Sequence, residues 1–312
     1  MNAARRTDLA ARLPAGVTIP DVDVPTGELV ELPGRGTTYV TDTPGPDVDA
    51  PAILLLHALS TTGLLTWFPS IPALAQRFRV ITLDQRLHGR GIGAVEFTLH
   101  DCADDAVALL DVLGVEQAMI AGYSMGSLVA QRVWRQHPDR VGGLVLCAST
   151  DVFQSTITER IFHRSVGASM AALQGSGARR ERAASNDQPE PVDPTDDIHR
   201  WALAEFRSTR PRAVAQAVAA IGKHHSRPWI GRITAPTAVV VPLRDKAIPP
   251  QRQIAMGRRI PGATIHEFDG GHASCVLNSQ AFVPSLMQAC ATVRARWADD
   301  VDAVGTVVGG HA

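Results

Sequence analysis

The chain lacks a dominant charge: Lys and Arg total 30 against 31 Asp and Glu, for a formal net charge of −1. That balance removes the electrostatic footprint of a nucleic-acid binder or of a protein drawn to anionic membranes. Long apolar runs are missing too. None approaches the roughly 18 residues that a transmembrane helix needs, so no integral membrane association is expected. Arg5 and Arg6 stand near the start, but no apolar core of a signal peptide follows them. Cysteine is scarce. Cys102, Cys147, Cys275 and Cys290 are scattered through apolar or helical surroundings. They read as buried thiols of a reducing compartment rather than a disulfide framework, so a cytoplasmic protein is expected. No internal repeat is visible, which excludes a stacked-repeat architecture. Nothing in these absences fixes an oligomeric state.

What is present is enough apolar residue, 45% of 312, to bury a substantial core. The stretch Ala52-Ile53-Leu54-Leu55-Leu56 is apolar without alternation, as expected of a strand covered on both faces. Similar runs at residues 80–83, 117–121, 143–147, 237–241 and 264–268 alternate with helical patterns at 68–78, 98–113, 250–259 and 282–297. Thr98 and Asp101 form a capping-box-like start, and Gly114 a stop. Two shorter strands, 27–32 and 36–41, flank the Pro33-Gly34-Arg35-Gly36 turn of a hairpin. The lead-in to about residue 26 and the tail from Asp299 show no such order, and the tail is expected to fray.

This alternation predicts an α/β fold: a mostly parallel central sheet flanked by helices. Residues 152–230 break the rhythm with helical patterns at 156–173, 197–206 and 211–222 and no strand signal. They are read as an inserted helical cap, with residues 1–151 and 231–312 forming the core. Arg, Ser, Asp, Glu and Pro crowd residues 175–196, a composition typical of a mobile segment. Sites in parallel sheets gather at the carboxyl ends of the strands.

One such end carries Gly122-Tyr123-Ser124-Met125-Gly126, a serine between two glycines where a buried strand turns into a helix. This is the nucleophile-elbow pattern Gly-x-Ser-x-Gly. The turn is tight enough that a side chain at Gly122 or Gly126 would crowd the neighbouring strand or helix. It lifts the Ser124 hydroxyl clear of the sheet and leaves the Met125 N–H at a helix N-terminus, able to face an oxyanion. Asp245 follows the strand at 237–241, and His272 follows the last strand on a Gly270-Gly271 turn. Asp151, just past another strand, is a rival acid. His224-His225 has no third ligand at metal spacing, so no metal and no other cofactor is expected. Trp67, Phe68, Trp201, Phe206 and Trp229 are candidates for a pocket lining or for packing.

The order Ser124, Asp245, His272 is that of the α/β-hydrolases. The chain resembles their esterase and lipase-like branch, which carries a helical cap, over residues 27–297. His57-Ala58-Leu59 is similar to the family's His-Gly-x loop, which implies the N–H of Leu59 as second oxyanion donor. Residues 84–90, Asp-Gln-Arg-Leu-His-Gly-Arg, are similar to an Asp-x-Arg-Gly-x-Gly-x-Ser loop of that branch. Ala58 stands where a glycine is usual, and Leu87 and Gly91 replace a glycine and a serine. The resemblance implies a serine hydrolase acting on a small-molecule carboxylic ester through an acyl-enzyme. The same triad also serves lactone or carbon–carbon bond hydrolysis, acyl transfer and cofactor-free perhydrolysis. Dehalogenases and epoxide hydrolases of the fold carry Asp at the position of Ser124. A non-catalytic ligand-binding or receptor protein on the same fold is the alternative from another class.

Overall fold

The computed structural model describes residues 19–153 and 193–308, with side chains through Asp299. An eight-stranded sheet forms the centre. Its strands are β1 (Glu28–Leu32), β2 (Gly36–Thr43), β3 (Ala52–Leu56), β4 (Arg79–Leu83), β5 (Ala118–Tyr123), β6 (Val141–Cys147), β7 (Thr237–Pro242) and β8 (Thr264–Phe268). They lie in the order β1-β2-β4-β3-β5-β6-β7-β8. The hairpin β1–β2 runs antiparallel at one edge, and every pairing from β4 to β8 is parallel. The predicted α/β class and the predicted hairpin are both present.

Strand alternation divides the core in two. Leu54 and Leu56 of β3, with Ile120, Leu144, Leu146, Val239 and Val241, face helices α3 (Leu99–Val112) and α4 (Met125–Gln136). Ile53 and Leu55, with Met119, Ala121, Val145 and Val240, face the other way. There they meet Phe282, Leu286, Cys290 and Val293 of the long C-terminal helix. Apolar side chains on both faces explain why these strands read as unbroken hydrophobic runs.

The order reverses at the centre: β3 leads to β4 on one side, whereas its other neighbour β5 leads on to β6. The loops after β3 and β5 therefore diverge and leave a crevice, the usual ligand position in an open parallel sheet. His57 to Leu59 follow β3 and Ser124 follows β5, so both flank that crevice.

Two expectations need correction. The single helix expected at 68–78 is instead two short ones, α1 (Gly63–Trp67) and α2 (Ile71–Leu74). Pro69 and Pro72 have no N–H, so the backbone ladder stops after α1 and restarts with Pro72 in the first turn of α2. The tail expected to fray from Asp299 continues as helix, because the C-terminal helix spans Ser279–Val308. Between β6 and β7 lie α5 (Ile198–Arg207) and α6 (Pro211–Lys223), close to the helices expected there. The helix expected at 156–173 and most of the Arg-rich segment lie outside the described residues. Numbering continues with α7 (Pro250–Gly257), α8 (Ser274–Leu277) and α9 (Ser279–Val308). Among the described residues no helix is long and apolar enough to cross a membrane.

The loop after β4 is pinned to α3 by charge. Arg86 donates to both carboxylate oxygens of Asp105 at 2.6 and 2.8 Å, and Arg35 from the hairpin turn reaches the same group at 2.5 Å. Arg86 thus anchors its loop. The Asp105 side chain is 1% exposed and that of Arg86 11%. Removing the carboxylate would leave a mostly buried guanidinium with only the more distant Asp101, at 3.4 Å. Asp105→Ala is expected to lower the unfolding free energy by about 3–5 kcal/mol. Arg35→Ala, cutting a more exposed guanidinium, should cost roughly 1 kcal/mol. Urea denaturation of the two variants checks the ranking; equal losses would contradict it.

Candidate active site

The elbow begins with an unusual backbone. Ser124 lies at φ 51°, ψ −113°, between β5 and α4, and its N–H donates to Cys147 O at 2.9 Å. Positive φ at a residue with a Cβ is strained and persists only where surrounding packing dictates it. Here α4 passes so close to β3 that a Cβ on Gly126 would overlap the Leu56 carbonyl. A Cβ on Gly122 would overlap the Gly126 backbone. The two glycines are required by close approach, as expected from sequence.

The Ser124 hydroxyl meets His272 Nε2 at 2.9 Å, and His272 Nδ1 meets Asp245 Oδ2 at 2.8 Å. A carboxylate only accepts, so Nδ1 carries the ring proton and Nε2 is left to accept from Ser124. Asp245 is fully satisfied. Its Oδ1 accepts from the N–H groups of Ala247 and Ile248 at 2.8 and 2.9 Å, and Gln253 Nε2 reaches Oδ2 at 3.0 Å. Its side chain is buried, while that of His272 stays 31% exposed on the crevice side. The rival acid points elsewhere. Asp151 pairs with Arg227 at 3.2 Å and Arg259 at 3.4 Å. Asp269 is an exposed turn residue paired with Arg244 at 2.6 Å.

Two further side chains hold this line. Tyr123, buried in β5, donates its hydroxyl to the His272 carbonyl at 2.9 Å and sets its ring edge-on to the imidazole. Gln253 on α7 donates to both Asp245 Oδ2 and the Ile248 carbonyl. Sequence reasoning missed both. Tyr123 filled only a variable position of the elbow, and Gln253 gave the weak signal of an amide on the buried face of a helix.

Across the crevice, the loop after β3 is locked by His57. Gln85 donates its N–H to His57 Nε2 at 2.8 Å and its side-chain amide to His57 O at 2.9 Å. With Nε2 accepting, Nδ1 carries the proton and donates to Ala58 O at 2.7 Å. The Ala58 N–H is taken by Thr66 Oγ1 at 3.2 Å. Next along the chain, the Leu59 N–H has no partner among the described residues, and neither has Met125 N–H at the first position of α4. Ala58 keeps a negative φ, so a methyl group in place of the family's glycine brings no backbone strain. Leu87 differs: it adopts φ 62° where the related loops carry glycine.

The remaining candidates lie partly in the core and partly at the surface. Trp67 and Phe68 are buried, Phe68 edge-on to Trp201 at 5.2 Å. Trp229 stacks on Trp134, and Phe206 is exposed. His224 Nε2 meets Gln131 Oε1 at 3.2 Å, inside the fold. Among the described residues, His100, Asp101 and Asp104 come within metal-ligand spacing. Their carboxylates are already engaged by Thr98, Arg86, Gln136 and His137.

Comparison with known proteins agrees with this architecture. A family described as "alpha/beta hydrolase fold" matches residues 51–176. The "Putative carbamate hydrolase RutD" of Yersinia enterocolitica is 30% identical over 244 residues, covering 75% of this chain and 84% of that protein. The "3-oxoadipate enol-lactonase 1" of Acinetobacter baylyi is 24% identical over 262 residues, covering 80% and 91%. The crystal structure of the enol-lactonase from Burkholderia xenovorans superposes with a TM-score of 0.66 at 23% identity, covering 85% of this chain and 100% of that one.

Burial gives the fold a defined response to acid. It depresses the pKa of His57 to about 3, with His88 adding to the effect, that of His88 to about 4, and that of His224 to about 3. The unfolded histidines titrate near 6.5. Below that value the unfolded chain takes up protons that the folded chain refuses, so this stability is present above about pH 6.5 and lost toward the folded values. Asp84 acts oppositely, because burial raises its carboxyl to about 6 and the folded chain gains a proton first. Three histidines outweigh one carboxylate. The unfolding free energy is expected to fall by roughly 4 kcal/mol between pH 7 and 5. Urea titrations at the two pH values test this; equal or greater stability at pH 5 would refute it.

Proposed function

Because the chain belongs to the α/β-hydrolase family, we propose that it is a serine hydrolase that cleaves small-molecule carboxylic esters through an acyl-enzyme on Ser124. The observation that carries this reading is the unbroken line from Ser124 Oγ through His272 to Asp245, with contacts of 2.9 and 2.8 Å.

As Ser124 Oγ bonds to the ester carbonyl carbon, its proton passes to His272 Nε2. The carbonyl π pair moves onto oxygen, where the Leu59 and Met125 N–H groups donate to it. Each such donor is worth about 3–4 kcal/mol by the cost of removing one elsewhere. When the intermediate collapses, the carbon–oxygen bond to the leaving group breaks, and the alkoxide takes the proton from Nε2. Water then repeats the sequence on the acyl-enzyme, releasing the carboxylic acid and restoring Ser124. Asp245 holds the ring in its Nδ1–H tautomer and stabilises the imidazolium. Helices α5 and α6 belong, in this reading, to a cap of residues 152–230 that borders the crevice and selects the substrate.

A second reading within the same chemistry is lactone hydrolysis, favoured by the likeness to a protein named an enol-lactonase. A lactone is a cyclic ester whose alcohol remains attached to the acyl group, so the triad steps are unchanged.

A fluorophosphonate probe should label Ser124 and no other serine, as read by peptide mass spectrometry. Ser124→Ala should lose labelling and at least 1,000-fold in kcat, and Asp245→Asn about 10,000-fold in kcat. A chain-length series of p-nitrophenyl esters run beside simple lactones separates the two readings by kcat/KM. If Ser124 stays unlabelled while a ligand raises the Tm and every ester and lactone survives, the chain is a binding protein instead.

A further inference from the structure

The loop that carries Leu59 is held from two sides, one of them outside the core. Thr62 is buried and caps α1 by accepting the Leu65 N–H at 3.1 Å. Its hydroxyl proton goes to Glu205 Oε2 at 2.5 Å, a contact between residues 143 positions apart. Glu205 stands on α5, in the segment between β6 and β7, and its side chain is only 13% exposed. The next peptide is held from below: the Gly63 N–H donates to Asp84 Oδ1 at 2.8 Å.

Arg90 joins the two carboxylates. Its N–H donates to Asp84 Oδ2 at 2.9 Å, its guanidinium faces Glu205 Oε1 at 3.3 Å, and that guanidinium lies over the Tyr39 ring. Two carboxylates thus share one cation in a largely buried setting. The short Thr62 contact gives Glu205 a second donor that offsets this shortage of positive charge. Above Thr62, Thr61 Oγ1 donates to Ala58 O at 2.8 Å and meets Thr66 Oγ1 at 2.7 Å. Residues 58–66 are therefore braced into one unit, with Leu59 near one end and the Glu205 contact in the middle. The α5–α6 corner is tied to the neighbouring loop as well, because the Gly89 N–H donates to Thr209 Oγ1 at 3.3 Å.

We propose that Glu205 is a positioning residue that holds the Leu59 loop in its oxyanion-binding place through Thr62, so that seating of the inserted helices and assembly of the oxyanion hole are one event. The inference rests on the reading of Leu59 as an oxyanion donor and assigns a role within the same site. Glu205 touches no reacting atom. It acts by fixing where a donor sits, and a donor displaced by about 1 Å loses much of its effect on the transition state.

The test uses the full chain and a p-nitrophenyl ester. Glu205→Ala is expected to lower kcat about 10- to 100-fold with KM changed less than about threefold. Glu205→Gln and Thr62→Ser, which keep an acceptor and a donor, should restore most of that loss. Thr62→Val, which also removes the α1 cap, should lose at least as much as Glu205→Ala, and the double variant should be no worse than Thr62→Val alone, because both cut the same contact. Losses in kcat that multiply in the double variant would overturn the proposal, as would Glu205→Ala lowering Tm while kcat stays within twofold. Amide hydrogen exchange over residues 59–65 reads the latch without activity: faster exchange in Glu205→Ala supports it, and unchanged exchange overturns it. An inactive, unlabelled wild type would instead count against the hydrolase reading alone.

Discussion

The whole site depends on how closely α4 approaches β3 and β5. The first turn of that helix is pressed against the Leu56 carbonyl, and only hydrogen atoms on Gly122 and Gly126 leave room for it. The chain between them must reverse within one residue, which forces Ser124 to φ 51°. A residue in that backbone region has its side chain pushed out of the sheet, toward the diverging loops. Relaxing the strain would require moving α4 away from the sheet. That would open the core lined by Leu128, Val129 and Val133. Strain at one residue is therefore held by the packing of many.

Two buried aspartates at strand ends show how partners decide a carboxylate's role. Asp151 is neutralised by Arg227 and Arg259, so its charge is already spent on fixed cations. Asp245 is surrounded by neutral donors, two backbone N–H groups and the Gln253 amide, which orient it without cancelling its charge. Only the second arrangement leaves a negative charge free to stabilise an imidazolium. His57 illustrates the converse. Buried, neutral and bonded at both ring nitrogens, it is an uncharged spacer that sets the distance between the loops after β3 and β4.

Much of this was legible in the sequence because the signals were local. Unbroken apolar runs marked the central strands, Thr98 marked the start of α3, and glycines on either side of Ser124 marked the elbow. The rhythm failed at 68–78, where apolar spacing said one helix and two prolines cut the ladder into two. The sequence favoured Asp245 as the acid but did not exclude Asp151. Both follow buried strands, and only the three-dimensional course of the loop bearing His272 brings one of them to Nδ1. Tyr123, Gln253 and Glu205 stayed hidden for the same reason. Their partners lie far away in sequence, and a single polar residue on a helix or strand carries no period that would reveal it.

That division has a consequence for the inserted helices. Their periodicity reports an apolar face, yet their link to the site runs through polar atoms: Glu205 to Thr62 and Arg90, Thr209 to Gly89, and Gln216 to the Phe97 N–H at 2.8 Å. Hydrogen bonds of this kind are directional, so they fix the orientation of α5 and α6 on the core as well as the contact. An apolar interface alone would tolerate sliding. In the proposed reaction, exposed side chains of the insertion such as Phe206 can vary with the substrate. Buried ones such as Trp201 and Ala217 pack on the core, and a few polar contacts tie the seating to the proposed oxyanion loop.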